Sequence, residues 1–190
     1  MIRILTLLAI LGTCVACSTT VAPIDLQNKV VPLEARKFVA DAQDAVSIEK
    51  ARVDDARRDY EQTKVWHRSV LRNNPFAHQA ALAAELERVV NARLALAALT
   101  LERAEAEHAL ANAKLDLVTA QTAIRNDLAI YDLEPLIART EEARTFAQAL
   151  SKEIEQKRRE MDAITTQWWN AYAQSAQAGQ STKPFFIAHD

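Results

Sequence analysis

The chain has 190 residues and a formal net charge of −2, from 23 basic and 25 acidic side chains interleaved along its length. That balance argues against a strongly basic nucleic-acid face or a polybasic membrane patch. Gly12 and Gly179 are its only glycines. The stretch between them is rich in Ala, Leu, Glu, Arg and Gln and lacks alternating β-branched runs, which rules out a Gly-rich phosphate loop there and predicts an all-α fold.

In chain order, the first segment carries a positive charge at Arg3, an apolar run over residues 4–15, and the small Ala16 before Cys17. A charged start, an apolar stretch of about 7–15 residues and a small residue at the cleavage position together read as a secretory signal. It is too short to cross a bilayer as a helix. Cys17, preceded by Cys14-Val15-Ala16, resembles the lipobox of bacterial lipoproteins, with Cys14 standing where that family usually has Leu. The competing Cys14 follows Leu11-Gly12 but has Thr13 at the cleavage position, so Cys17 is the expected lipidation site. The resemblance implies that residues 1–16 are removed and that Cys17 is acylated with fatty chains of the palmitate type. Ser18 follows Cys17, where Asp would be the retention signal, and this implies the periplasmic face of the outer membrane. Cys14 lies in the segment to be removed, so with Cys17 acylated the mature chain is expected to have no free thiol and no disulfide.

Prolines at 23, 32, 75, 135 and 184 divide the remainder of the chain. Residues 17–32 read as a lipidated tether, of which residues 18–31 would reach ~45 Å if fully extended. Pro32 suits the first turn of a helix over 33–72, with Glu34 near its positive dipole end. Asn73-Asn74-Pro75 is a break: Asn73 can take a left-handed cap conformation, Asn74 can cap the next helix and Pro75 can begin it. A second helix is expected over 76–131. Its heptad a positions are Leu82, Val89, Leu96, Arg103, Leu110, Leu117, Ile124 and Tyr131, and its d positions include Ala92, Leu99, Ala106, Ala113 and Ala120. A second apolar stripe passes through Val90, Leu94, Ala97, Leu101, Ala104, Ala111, Leu115 and Val118. Two stripes imply a neighbour on each side, either two helices of this chain or one helix and a second copy. Asp132 or Glu134 is expected to cap a third helix over 133–176, and residues 177–190 read as a flexible tail. The architecture expected over 33–176 is an elongated antiparallel three-helix bundle or coiled coil. The alternative is a helical hairpin in which Pro135 only kinks one long helix.

Polar residues on the seams are candidate register-setting ion pairs. With helices ending at the positions above, Glu49 falls near Arg103 and Lys157 near Glu107. Trp168, Trp169 and Tyr172 are the aromatic concentration, with Phe185-Phe186 beyond them and with Trp66 and Phe76 expected some distance further along the bundle. Trp168 is a seam residue that closes the bundle, while Trp169, Tyr172, Phe185 and Phe186 are candidate partner-binding residues. His67 and His78 flank the Asn-Asn-Pro break without a third ligand at metal spacing, so no metal or other cofactor is expected. No nucleophile–base constellation points to an enzyme.

The run Leu101-Glu102-Arg103-Ala104-Glu105-Ala106-Glu107-His108-Ala109-Leu110-Ala111-Asn112-Ala113-Lys114-Leu115 resembles the α-hairpins of periplasmic membrane-fusion proteins and outer-membrane efflux channels. The flanking β domains of those families are missing, so the resemblance implies a style of helix packing and no site residue. The expected function is that of an outer-membrane-anchored structural or adaptor subunit of a cell-envelope assembly in secretion, efflux or cell-wall machinery. Its partners would be the membrane, through the lipid, and one or more envelope proteins. The alternative is a periplasmic carrier or chaperone holding an apolar ligand between helices.

Overall fold

The computed structural model describes residues 21–27 and 29–178. Cys17, Phe185 and Phe186 lie outside the described residues. Three helices make up the fold: α1 (Leu33–Arg72), α2 (Ala80–Arg125) and α3 (Glu134–Gln177). α1 has the expected bounds, and Pro135 sits in the first turn of α3. The 46 residues of α2 span ~69 Å at 1.5 Å per residue.

The helices run antiparallel in sequence order, with α2 packed against both α1 and α3. α1 and α3 do not pack on one another along their lengths. The two stripes of α2 explain this. Leu101 and Ala104 meet Val53 and Ala56 of α1. Leu99 and Ala106, on the d row, meet Ala147 and Leu150 of α3. Alanine facing alanine or valine lets the axes approach closely. The second stripe therefore faces α1 at Leu101 and Ala104, as one of the two expected neighbours. At 100° per residue the a row points between the two partners. Leu82 and Val89 are buried there, whereas Leu96, Arg103, Leu110 and Leu117 stay half-buried because no helix seals the gap.

The first turn differs from expectation in its caps. Asn73 has φ −108°, which is not left-handed, and its N–H donates to the Ser69 carbonyl. Asn74 Oδ1 accepts the Phe76 N–H at 2.9 Å, closing a local turn in place of capping a helix. A further turn bond, from Gln79 N–H to the Phe76 carbonyl, delays α2 until Ala80 and drops the Phe76 ring into the core.

The second turn begins earlier than expected. α2 stops at Arg125 and does not continue to Tyr131. Asp127 takes a left-handed conformation with φ 54°. Its N–H donates to the Ile124 carbonyl at 3.2 Å, and the Leu128 N–H donates to the Ala123 carbonyl at 2.9 Å. Together these bonds form a Schellman cap, with Asp where Gly is usual. Asn126 adds a side-chain bond to the Thr122 carbonyl at 2.8 Å. Asp132 Oδ1 accepts the Glu134 N–H at 3.1 Å in a local turn, while the N-cap position of α3 is Leu133, with no side-chain cap bond, so neither Asp132 nor Glu134 caps the helix as expected.

The described residues ahead of α1, 21–27 and 29–31, are held to the helical body and do not stand as a free tether. The Ala22 N–H donates to the Tyr131 hydroxyl at 3.1 Å. The Arg36 guanidinium donates to the Leu26 carbonyl at 2.9 Å, and Val31 is fully buried. The stretch leading into α1 is thus folded against the helices at the end occupied by the α2–α3 loop.

Candidate interaction surfaces

The early end of α2 sets how far α3 slides along it, and that slide decides which candidate residues meet. Thr140 Oγ1 lies 3.4 Å from the Ala113 carbonyl, Arg139 pairs with Asp116 at 2.8 Å, and Ser175 donates to Gln79 Oε1 at 2.8 Å. In this register Ala147 lies against Ala106. Lys157 is ten residues further along α3, ~15 Å from the level of Glu107. The expected Lys157–Glu107 pair is replaced by Lys157–Glu160 at 2.6 Å. Likewise Arg103 pairs with Glu107 at 2.7 Å on its own helix, and Glu49 pairs with Arg52 at 2.6 Å. All four polar candidates are bound within single helices. They form no bridge between helices, because the open a-row gap leaves each long side chain a nearer partner one turn away.

Lys157 and Glu160 are solvated, and their mutual hydrogen bond and charge shift both groups. The Lys157 ammonium is raised above its ordinary value, first by the hydrogen bond to Glu160 and then by its charge. The Glu160 carboxyl is lowered, first by the hydrogen bond from Lys157 and then by that from Gln156. Bridges that cross between helices among the described residues include Arg57–Glu105 at 3.1 Å, joining α1 to α2, and Arg139–Asp116, joining α2 to α3. His67 Nε2 also crosses from α1 to Asn91 Oδ1 at 2.8 Å, while His78 is bonded to its neighbour Gln79. Among the described residues no three His, Cys, Asp or Glu side chains gather as a metal would require.

The same slide merges the two aromatic groups. The Trp168 ring is fully buried, stacked on Tyr172 at 5.4 Å and edge-on to Phe76 at 6.0 Å. Val70, Leu82, Leu86, Val89 and Val90 complete the cluster, and Trp66 packs on its rim under the Arg93 guanidinium at 4.9 Å. Trp168 and Phe76 were expected apart; here they tie all three helices together at the first turn. Tyr172 is half-buried and belongs to this core. Trp169, 43% exposed, is the aromatic of the candidate set that offers surface, braced edge-on by Trp168 at 4.7 Å.

Two apolar surfaces escaped the sequence reading. One is an open groove of about 860 Å³ between α2 and α3, with Ala109, Ala113, Ala143 and Ala149 in its walls and the exposed Phe146 beside them. The alternating small residues of both helices were its signal. The other lies at the opposite end from the aromatic cluster. There Ile130 is 99% exposed, Val30 74% and Leu33 72%, with Leu128 also exposed. Reading residues 126–131 as helix hid this loop, although Asn126-Asp127 marked it.

No family model matches the chain, and comparisons with curated proteins and with solved structures find no match.

Proposed function

We propose that the protein is a lipid-anchored subunit of a cell-envelope assembly, acylated at Cys17 on the periplasmic face of the outer membrane, whose three-helix layer holds side faces out to envelope proteins. The observation that carries this reading is the N-terminal anatomy: one charge, a short apolar run and Ala16-Cys17, ahead of a helical body that begins at Leu33. The open architecture supports it as well. α1 and α3 are each covered on one side only, so both leave long faces for other proteins, and a tethered layer meets them at raised effective concentration.

Metabolic labelling with a fatty-acid analogue tests the anchor. Label enters the wild-type chain and is lost in Cys17→Ser, which moves to the soluble fraction; an unlabelled wild-type chain refutes the reading. Crosslinking in cells from outward positions of α1 and α3 should then capture a defined envelope protein. The carrier alternative finds its best place in the α2–α3 groove, whose alanine walls suit an apolar chain. Lipid retained in native mass spectrometry, and lost in Ala113→Arg, would favour it.

A further inference from the structure

Three helix termini meet at the end where the chain enters the fold: the start of α1, the end of α2 and the start of α3. Elsewhere among the described residues the large exposed apolar side chains, Phe38, Ile48, Val65, Ile137, Phe146 and Trp169, lie within helices. At this end Ile130, Val30, Leu33 and Leu128 all project to solvent. Several large aliphatic side chains exposed at one tip form apolar surface that an apolar partner would cover favourably. The charges nearby are mixed, with Asp25, Asp127, Asp132 and Glu134 against Lys29, Arg36 and Arg125. That mixture offers no strong field to either sign of partner.

The length of chain outside the described region identifies what lies against this tip. The Ala22 N–H is held by the Tyr131 hydroxyl, and Ala22 is only five residues from Cys17. Five extended residues reach at most ~18 Å. If Cys17 is acylated, the α2–α3 loop is therefore held close to the headgroups. Residues 21–31 cannot lengthen the tether without breaking the Ala22–Tyr131 and Arg36–Leu26 bonds and exposing Val31.

We propose that this tip rests on the bilayer, with Ile130, Val30 and Leu33 seated in the lipid interface, Tyr131 at headgroup level and the three-helix layer standing away from the membrane. The proposal rests on the lipid-anchor reading above. Aliphatic side chains flanked by a tyrosine are suited to the boundary between headgroups and acyl chains. The anchor and the tip together make two attachments, which sets the orientation of the layer as well as its location. The aromatic cluster and Trp169 then lie at the far end, about 50 Å from the lipid.

Lipid-phase quenching tests this. The mature chain has no cysteine besides Cys17, so Ile130→Cys accepts a polarity-sensitive fluorophore at one site. The lipidated protein is reconstituted in phosphatidylcholine vesicles containing a nitroxide lipid. A second preparation begins at Ser18 and is held to nickel-chelating vesicles by an N-terminal hexahistidine, which reads the tip whether or not Cys17 is acylated. The expected result in both is blue-shifted emission with strong quenching at position 130. A label at Val65→Cys, near the other end of α1, should stay water-exposed and unquenched. Val30→Asp with Leu33→Asp should weaken quenching at 130 while circular dichroism stays helical, and added salt should not change it. Protein that floats with vesicles while the label at 130 behaves like that at 65 overturns the proposal. Failure of the lipidated preparation alone to float refutes the anchor and leaves the hexahistidine preparation to decide the tip.

Discussion

Trp168→Ala is the sharpest test of the helix register. A buried tryptophan removes about 150–250 Å² from water, ~4–6 kcal/mol at 25 cal/mol per Å². Residual compactness of the unfolded chain lowers this to about 3–5 kcal/mol, the range seen for large aromatic truncations. One correction acts the other way: the Trp168 indole N–H is buried without a hydrogen-bond partner, and removing it relieves about 1–3 kcal/mol. The net expected loss is about 2–4 kcal/mol, a large share of the stability of a small domain. Urea unfolding of the form beginning at Ser18, followed by circular dichroism, measures it. Because the indole N–H is the unfavourable part, Trp168→Phe should cost clearly less than Trp168→Ala. A double-mutant cycle with Phe76→Leu should give a coupling of about 0.5–1.5 kcal/mol from the edge-on ring pair. A loss below ~1 kcal/mol together with zero coupling would mean that α3 is not seated as described.

The caps and charges carry further expectations. Asp127→Gly should stabilise by up to ~1 kcal/mol, because glycine takes the left-handed cap conformation without steric cost, and Asp127→Val should destabilise by about 1–2 kcal/mol; thermal melts distinguish the two. Arg103→Leu should leave the melting temperature unchanged or raise it, since it loses an i,i+4 pair worth about 0.3–0.5 kcal/mol and adds a leucine beside Leu96 and Leu110; a fall of more than about 1 kcal/mol would point to a structural role for the guanidinium. The Lys157–Glu160 pair contributes only while both groups are charged. Because the Glu160 value is lowered, its contribution is present above the ordinary carboxylate range and is lost as pH falls through the depressed value. The raised Lys157 value makes the high-pH loss occur only above the ordinary lysine range. Lys157→Gln should move the Glu160 titration, followed by NMR, back up toward its usual value.

Much of this architecture is legible from residue spacing. α1 begins after Pro32 and ends before Asn73-Asn74-Pro75, as local chemistry requires. The two stripes of α2 state that it lies between two helices. The Lys157–Glu107 pairing depends on where the second turn falls, whereas Glu49 and Arg103, on α1 and α2, each take a partner on their own helix. With Asn126-Asp127 taken as helix, α3 is positioned about three turns wrong, which separates Trp168 from Phe76 and brings Lys157 to Glu107. The tip went unseen for the same reason, since Ile130 lies in residues assigned to a helix. The extended tether was a reading of composition, and composition does not reveal that the Tyr131 hydroxyl holds the Ala22 N–H.

The sequence by itself determines the helical class, the first break at Asn73-Asn74-Pro75, the apolar faces of the helices and the N-terminal pattern that suggests an anchor. These follow from short-range propensity and from the 3.6-residue period, both of which are local. The structure makes the second break a turn and not a kink. Tertiary structure alone decides the sliding register of α3 and the gap between α1 and α3. An Ala/Leu seam looks nearly the same after a shift of ten or eleven residues, because three turns return the same face. The seam therefore cannot choose its own register. The cap at Asp127 and the fit of the Trp168 ring against Phe76 make that choice, and only the folded chain brings them together.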